Sequence, residues 1–212
     1  MNASTRPVIL QVRHLHFAYP GQPALACDWS ASLPAGVTQI HGDTGSGKST
    51  LLRLMAGALP ATGQLTLAGA RLDDDPEAYR RHVFFCEPST DAFDQVTARA
   101  CTESLCAGDA RFNAAAWRAL VEGFALTAHL DKPLHMLSTG SKRKVLLAAA
   151  LASGRALVLL DEPTGGLDAA SIGCLWNSLA GIAKRPDQAV VVASAQRFER
   201  VTFASSIRLP LG

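Results

Sequence analysis

The stretch GDTGSGKST, from Gly42 to Thr50, places a lysine and two hydroxyls behind a glycine-rich turn. It fits the spacing G-x-x-x-x-G-K-[ST]. The apolar run VTQIH (37–41) precedes it and the helical pattern STLLRLMAG follows it, so the turn joins a strand to a helix. Glycines let the backbone approach an anion, and the first amides of the helix point at it. Gly42, Asp43, Thr44, Gly45, Ser46, Gly47, Lys48, Ser49 and Thr50 therefore read as a phosphate cradle. Lys48 would reach the β- and γ-phosphates, and the Ser49 hydroxyl would be a Mg²⁺ ligand.

A second chemical pair stands in ALVLLDEP, where Asp161 and Glu162 end an apolar strand. Two carboxylates are costly inside a core. At the C-terminal edge of a sheet, beside a metal-bound phosphate, they have work to do. Asp161 would hold Mg²⁺, and Glu162 would orient or deprotonate an attacking water. Taken alone, the pair could equally cap the next helix. A third segment, LSTGSKRKV (137–145), opens a Leu- and Ala-rich helix, and Ser138 and Gly140 read as an anion-binding helix start.

The elements that must position these groups follow from hydropathy. Strands are predicted at 8–12, 37–41, 64–68, 82–86, 156–160 and 189–193. Helices are predicted at about 48–57, 97–106, 113–126, 141–152, 169–183 and 197–203. Strands alternating with helices in the second half imply a parallel sheet. The early segments, broken by PGQP and LPAG, read as an antiparallel β layer. The expected fold is α/β: a mostly parallel sheet flanked by helices, an antiparallel layer, and an inserted helical lobe at about 88–140 within one domain covering 1–212.

Composition narrows the partners. Of 212 residues 48% are hydrophobic, enough for a sizeable core. A net charge of +2 implies no broad attraction to nucleic acid or a membrane surface. The basic triplet Lys142–Lys144 is expected to be a solvated helix face. The five cysteines form no C-x-x-C pair, so they read as reduced thiols in a cytosolic protein and a zinc site is not expected. The most apolar region, VLLAAALASGRALVLL (145–160), is interrupted by Gly154-Arg155 and too short to span a bilayer.

With the phosphate loop, the Asp161-Glu162 strand and LSTG lying between them, the chain resembles the nucleotide-binding subunit of ATP-binding cassette (ABC) transporters. That family's signature is L-S-G-G-Q; here Thr139 and Ser141 replace a Gly and the Gln. The resemblance covers nearly the whole chain and implies a P-loop NTPase core binding ATP with Mg²⁺. It implies that Tyr19 stacks on adenine and that GGLD, ending in Asp168, crosses to a second subunit. Read without the family, GGLD is a turn with an Asp N-cap. ATP would lie between two such domains, the phosphate loop of one facing the signature of the other. The implied partners are a second nucleotide-binding domain, as homodimer or paralogue, and a polytopic membrane subunit. The implied place is the cytoplasmic face of the inner membrane.

Two positions depart from the family pattern. Where the family has a Gln contacting Mg²⁺ and coupling to the membrane partner, the text is CEPSTDAFDQVT, and Glu87 is the nearest match. Where the family ends a strand with a His on the γ-phosphate, VVVASAQ places Ala195, with Gln196 beside it. Ala offers no side-chain donor. ATP binding with slow hydrolysis is the resulting expectation. The alternatives are a weakly hydrolysing subunit that pairs with a paralogue, and a soluble ABC ATPase outside transport.

Overall fold

A computed structural model of the chain describes residues 6–85, 87, 90–196 and 201–211. The fold is α/β. Two compact units emerge: residues 1–85, 156–162 and 179–212 form the first, and residues 86–155 and 163–178 the second. The second unit takes in more chain than the stretch 88–140 expected as a lobe.

The first unit contains two sheets. β1 (Val8–Phe17), β2 (Ala26–Pro34), β4 (Thr62–Leu67) and β5 (Ala70–Arg71) form an antiparallel sheet in the order β2-β1-β4-β5. β3 (Gly36–His41), β6 (Val83–Phe85), β7 (Leu157–Asp161), β8 (Ala189–Ser194) and β9 (Ser205–Arg208) form the second, in the order β6-β7-β8-β3-β9. All its pairings are parallel. β7 and β8 are near-continuous apolar runs because a parallel sheet is covered on both faces.

One apolar core joins both sheets through α1 (Lys48–Met55). Leu51, Leu52, Leu54 and Met55 are at most 1% exposed, so this short helix is buried nearly all round. α2 (Pro76–Arg81) seals one side: it is capped by Asp75, and its buried Tyr79 donates a hydrogen bond to the Met55 carbonyl at 2.7 Å. Burial raises the Tyr79 phenol well above its usual range.

The second unit is helical: α3 (Ala98–Leu105), α4 (Ala114–Gly123), α5 (Thr139–Ala152) and the part of α6 (Ala169–Ile182) up to Ser178. Thr97, Asn113 and Ser138 cap the first three, each accepting a backbone N–H with its side-chain oxygen. α5 packs on both α3 and α4, which is why residues 141–155 belong with them. Arg155 closes the unit by donating to Asp109 at 2.7 Å and to the Leu105 carbonyl at 2.9 Å.

Three departures from the sequence expectation stand out. The helix expected at 197–203 does not extend over Val201–Phe203, which carry no helical turn; 197–200 lie outside the described residues. β2 is absent from the expected strands because its alternation is interrupted by polar, half-exposed positions. α2 is likewise absent from the expected helices, being a short amphipathic turn rich in charge.

Candidate nucleotide site

The sheet register builds the first unit's site. β3 and β8 pair with His41 opposite Ser194, and β7 and β8 pair with Asp161 opposite Ala193. The phosphate loop, the carboxylate pair and the end of β8 therefore leave the sheet at one edge. This is the edge where open parallel sheets bind ligands.

The loop turns into α1 at Gly47, whose φ of 99° is left-handed. That backbone conformation favours glycine; a Cβ there would also lie 2.4 Å from the end of the Leu25 side chain, which would have to turn aside. Asp43, Thr44 and Gly45 are exposed, whereas Lys48 is 6% exposed. The Lys48 ammonium donates to the carbonyls of Gly42 at 2.9 Å and Asp43 at 3.0 Å, and lies 3.6 Å from Glu162 Oε1. A lysine thus folded into its own loop holds the cradle in shape. It has a charge to offer an anion that competes for it.

Glu162 is gripped from β8. Its Oε2 accepts the Ser194 hydroxyl at 3.0 Å and its Oε1 accepts the Ala195 N–H at 2.8 Å. Its backbone is also unusual, with φ of 41° and its N–H on the Ala193 carbonyl at 2.9 Å. Two polar atoms at this edge lack hydrogen-bond partners among the described residues although shielded from solvent: Ser46 Oγ and Asp161 Oδ1. Buried polar groups are normally satisfied. Orphans on the loop and on the carboxylate strand fit a group that brings an anion and a cation together, so the residues present suit ATP with Mg²⁺. Tyr19 is 37% exposed, meets Phe17 edge-on, and sets its hydroxyl 3.4 Å from that of Thr50 at the start of α1.

The second unit brings Ser138, Gly140 and Asp168 together. Ser138 caps α5 through the Ser141 N–H at 3.1 Å. Gly140 packs so closely on the Gly166 carbonyl that a Cβ would lie 2.5 Å from its oxygen. Lys144 donates to Asp168 at 2.6 Å, and Arg143 donates to the Gly165 carbonyl. Asp168 in turn caps α6, accepting the Ser171 N–H at 2.8 Å and its hydroxyl at 3.0 Å. The Lys144 contact, helped by Ser171, holds the Asp168 carboxyl well below the usual range. Lys142 pairs with Asp94. The triplet 142–144 is therefore not the solvated face expected from sequence: each cation anchors a neighbouring segment. Glu87 is exposed and belongs to the second unit.

Two contributors escaped sequence reasoning. Ser194 only ends the apolar run of β8, and Gln39 only stands beside Thr38 in β3, so neither belongs to a motif.

A glycine-rich strand-to-helix turn and an Asp-Glu pair on one edge of a parallel sheet define a P-loop nucleotide-binding domain. Known proteins agree and narrow the class. The family model described as ABC transporter matches residues 28–165. The chain is 33% identical over 198 residues to ATP-binding cassette sub-family A member 7 of Rattus norvegicus, covering 90% of this chain and 9% of that protein. It is 36% identical over 185 residues to the cobalt import ATP-binding protein CbiO of Rhodobacter capsulatus, covering 82% of this chain and 65% of that protein. It is 35% identical over 190 residues to the cytochrome c biogenesis ATP-binding export protein CcmA of Bordetella bronchiseptica, covering 85% and 82%. A solved ATP-binding subunit of an ABC transporter superposes with a TM-score of 0.77 at 22% identity, covering 88% of this chain and 79% of that one. A putative ABC transporter ATP-binding protein from Pyrococcus furiosus gives 0.76 at 21% identity, covering 94% and 96%. At those identities the two structures speak for the fold alone. The chain belongs to the ABC transporter family, as one of its nucleotide-binding domains.

Proposed function

We propose that the chain is the ATP-binding and ATP-hydrolysing subunit of an ABC transporter, energising solute movement through a separate polytopic membrane subunit. The observation that carries this is the cluster at one sheet edge: Lys48 held in its loop, Glu162 beside it at 3.6 Å, and Asp161 with an unsatisfied buried oxygen. The names of the relatives, both import and export ATP-binding proteins, support the transporter role without choosing a direction. Among the described residues no helix is long and apolar enough to cross a membrane.

In this reading Lys48 exchanges the carbonyls of Gly42 and Asp43 for β- and γ-phosphate oxygens. The loop amides from Gly45 to Thr50 surround the phosphates. Tyr19 offers its ring to adenine. Ser49 and Asp161 would hold Mg²⁺, and the cation would neutralise charge on the phosphates. Glu162 accepts a proton from the attacking water. Ser138 and Gly140 serve the phosphates bound by a second domain, and Asp168 lies on the loop that crosses to it. That second domain is another copy or a paralogue, and the assembly sits on the cytoplasmic face of the inner membrane.

Ala195 gives this site one donor fewer, so turnover by the chain alone is slow. A missing preorganised donor lowers the rate by about 10²–10³. This favours pairing with a better-equipped paralogue over a fully active homodimer. The test is equilibrium binding of a fluorescent ATP analogue with Mg²⁺, to the parent and to Lys48→Ala, together with affinity purification from detergent-solubilised membranes. Tight binding lost in Lys48→Ala, and a co-purifying polytopic membrane protein, are expected. Recovery with ribosomes or DNA instead would favour a soluble ABC ATPase.

A further inference from the structure

The end of β8 engages both oxygens of Glu162, and we infer that Ser194 is a positioning residue for that carboxylate, standing in a hydrogen-bond chain anchored on Gln39 of β3. The inference rests on the reading of Glu162 as the group that activates water.

The chain of bonds begins in the core. Gln39 is 4% exposed, beside the equally buried Thr38 in β3. An amide buried there is costly unless it is bonded. Its Nε2 donates to the Gln196 carbonyl at 3.1 Å, which ties down the turn that follows β8. Within that turn the Gln196 N–H donates to Ser194 Oγ at 3.1 Å. A hydroxyl has one proton to give. With its oxygen accepting from Gln196, its proton goes to Glu162 Oε2 at 3.0 Å. The neighbouring Ala195 N–H takes Oε1 at 2.8 Å. Ser194 itself is 1% exposed, so the hydroxyl has no competing solvent.

The backbone of Glu162 shows why a clamp is needed. Its φ of 41° lies in the left-handed region. A bulky residue persists there only when its surroundings over-determine it. The Glu162 N–H bond to the Ala193 carbonyl and the two carboxylate bonds all come from the same three residues of β8 and its end. Removing the Ser194 hydroxyl withdraws one of the bonds that fix the carboxylate. A misplacement of about 1 Å in a catalytic group lowers a rate by up to about 10².

The test is steady-state hydrolysis of Mg²⁺·ATP and affinity for a fluorescent ATP analogue in the parent, Ser194→Ala and Ser194→Thr. Ser194→Ala should lower kcat about 10- to 100-fold and leave nucleotide affinity within about twofold; Ser194→Thr, which keeps the hydroxyl, should restore most of the rate. A second readout needs no turnover: the amide proton resonance of Ala195 should move upfield in Glu162→Gln, where the acceptor is no longer charged. Parent-like kcat in Ser194→Ala, a joint loss of kcat and affinity, or an Ala195 amide unmoved by Glu162→Gln would each overturn the inference. Failure of the parent to bind the analogue would fall on the functional reading instead, and the amide shift would still decide the contact.

Discussion

Gly140→Ala sets two effects of known size against each other. Alanine is the better helix former, by at most about 1 kcal/mol and less in the first turn, where Gly140 sits. Against this, the new Cβ would lie 2.5 Å from the Gly166 carbonyl oxygen, 0.9 Å short of an ordinary 3.4 Å contact. The oxygen belongs to backbone and cannot rotate away. The loop that carries it is also stapled, by Arg143 at Gly165 and by Lys144 at Asp168. Overpacking of this kind costs about 1–3 kcal/mol. With a rigid neighbour the upper half of that range applies, leaving a net loss of roughly 1–2 kcal/mol. For a chain of this size that is a fall in Tm of about 2–8 °C. Thermal unfolding followed by circular dichroism reads it directly. The same substitution in a Lys144→Ala background should cost at least about 0.5 kcal/mol less, because the loop is then freer to retreat. A Tm that rises in Gly140→Ala, or a penalty unchanged by Lys144→Ala, would refute the claim that α5 grips the loop 165–168.

Three further outcomes are expected. Ala195 is exposed, so Ala195→His has room for its ring and should raise kcat by about 10²–10³ with little change in nucleotide affinity, measured by steady-state ATP hydrolysis; fast turnover in the parent without gain in the variant would contradict it. Because the folded-state pKa of Asp168 is depressed, its contribution to stability is present above the unfolded carboxylate value of about 3.9 and is lost as pH falls below it. The fall in Tm between pH 6 and pH 3 should therefore be larger in the parent than in Asp168→Asn. Burial, with Asp109 adding repulsion, pushes the Cys106 thiol up to about 11, whereas Cys27 is exposed. Maleimide labelling near neutral pH, read by mass spectrometry, should modify Cys27 at least roughly 100-fold faster than Cys106.

Much of this site is legible in the chain because its chemistry is local. The loop Gly42–Thr50 is contiguous, and the strand and helix on either side follow from apolar runs that the fold preserves as β3 and α1. The same holds for Asp161 and Glu162 at the end of β7. Ser138 is readable as part of a helix start, and it caps α5. The triplet 142–144 was misread for the opposite reason: charge on a helix face says nothing of where Asp94, Gly165 and Asp168 will be brought. That α5 goes with α3 and α4 is decided by packing, which the pattern of a single helix does not carry.

The sequence by itself determined the phosphate loop, the carboxylate pair, the strands that carry them and the family they imply, since each is a short run whose spacing is its own signal. Tertiary structure alone decided how Glu162 is held. Its partners Ser194 and Ala195 lie more than thirty positions away along the chain and meet it because β7 and β8 pair in one parallel register. Parallel pairing is non-local, and a single serine at the end of an apolar run carries no mark of the strand beside which it will lie.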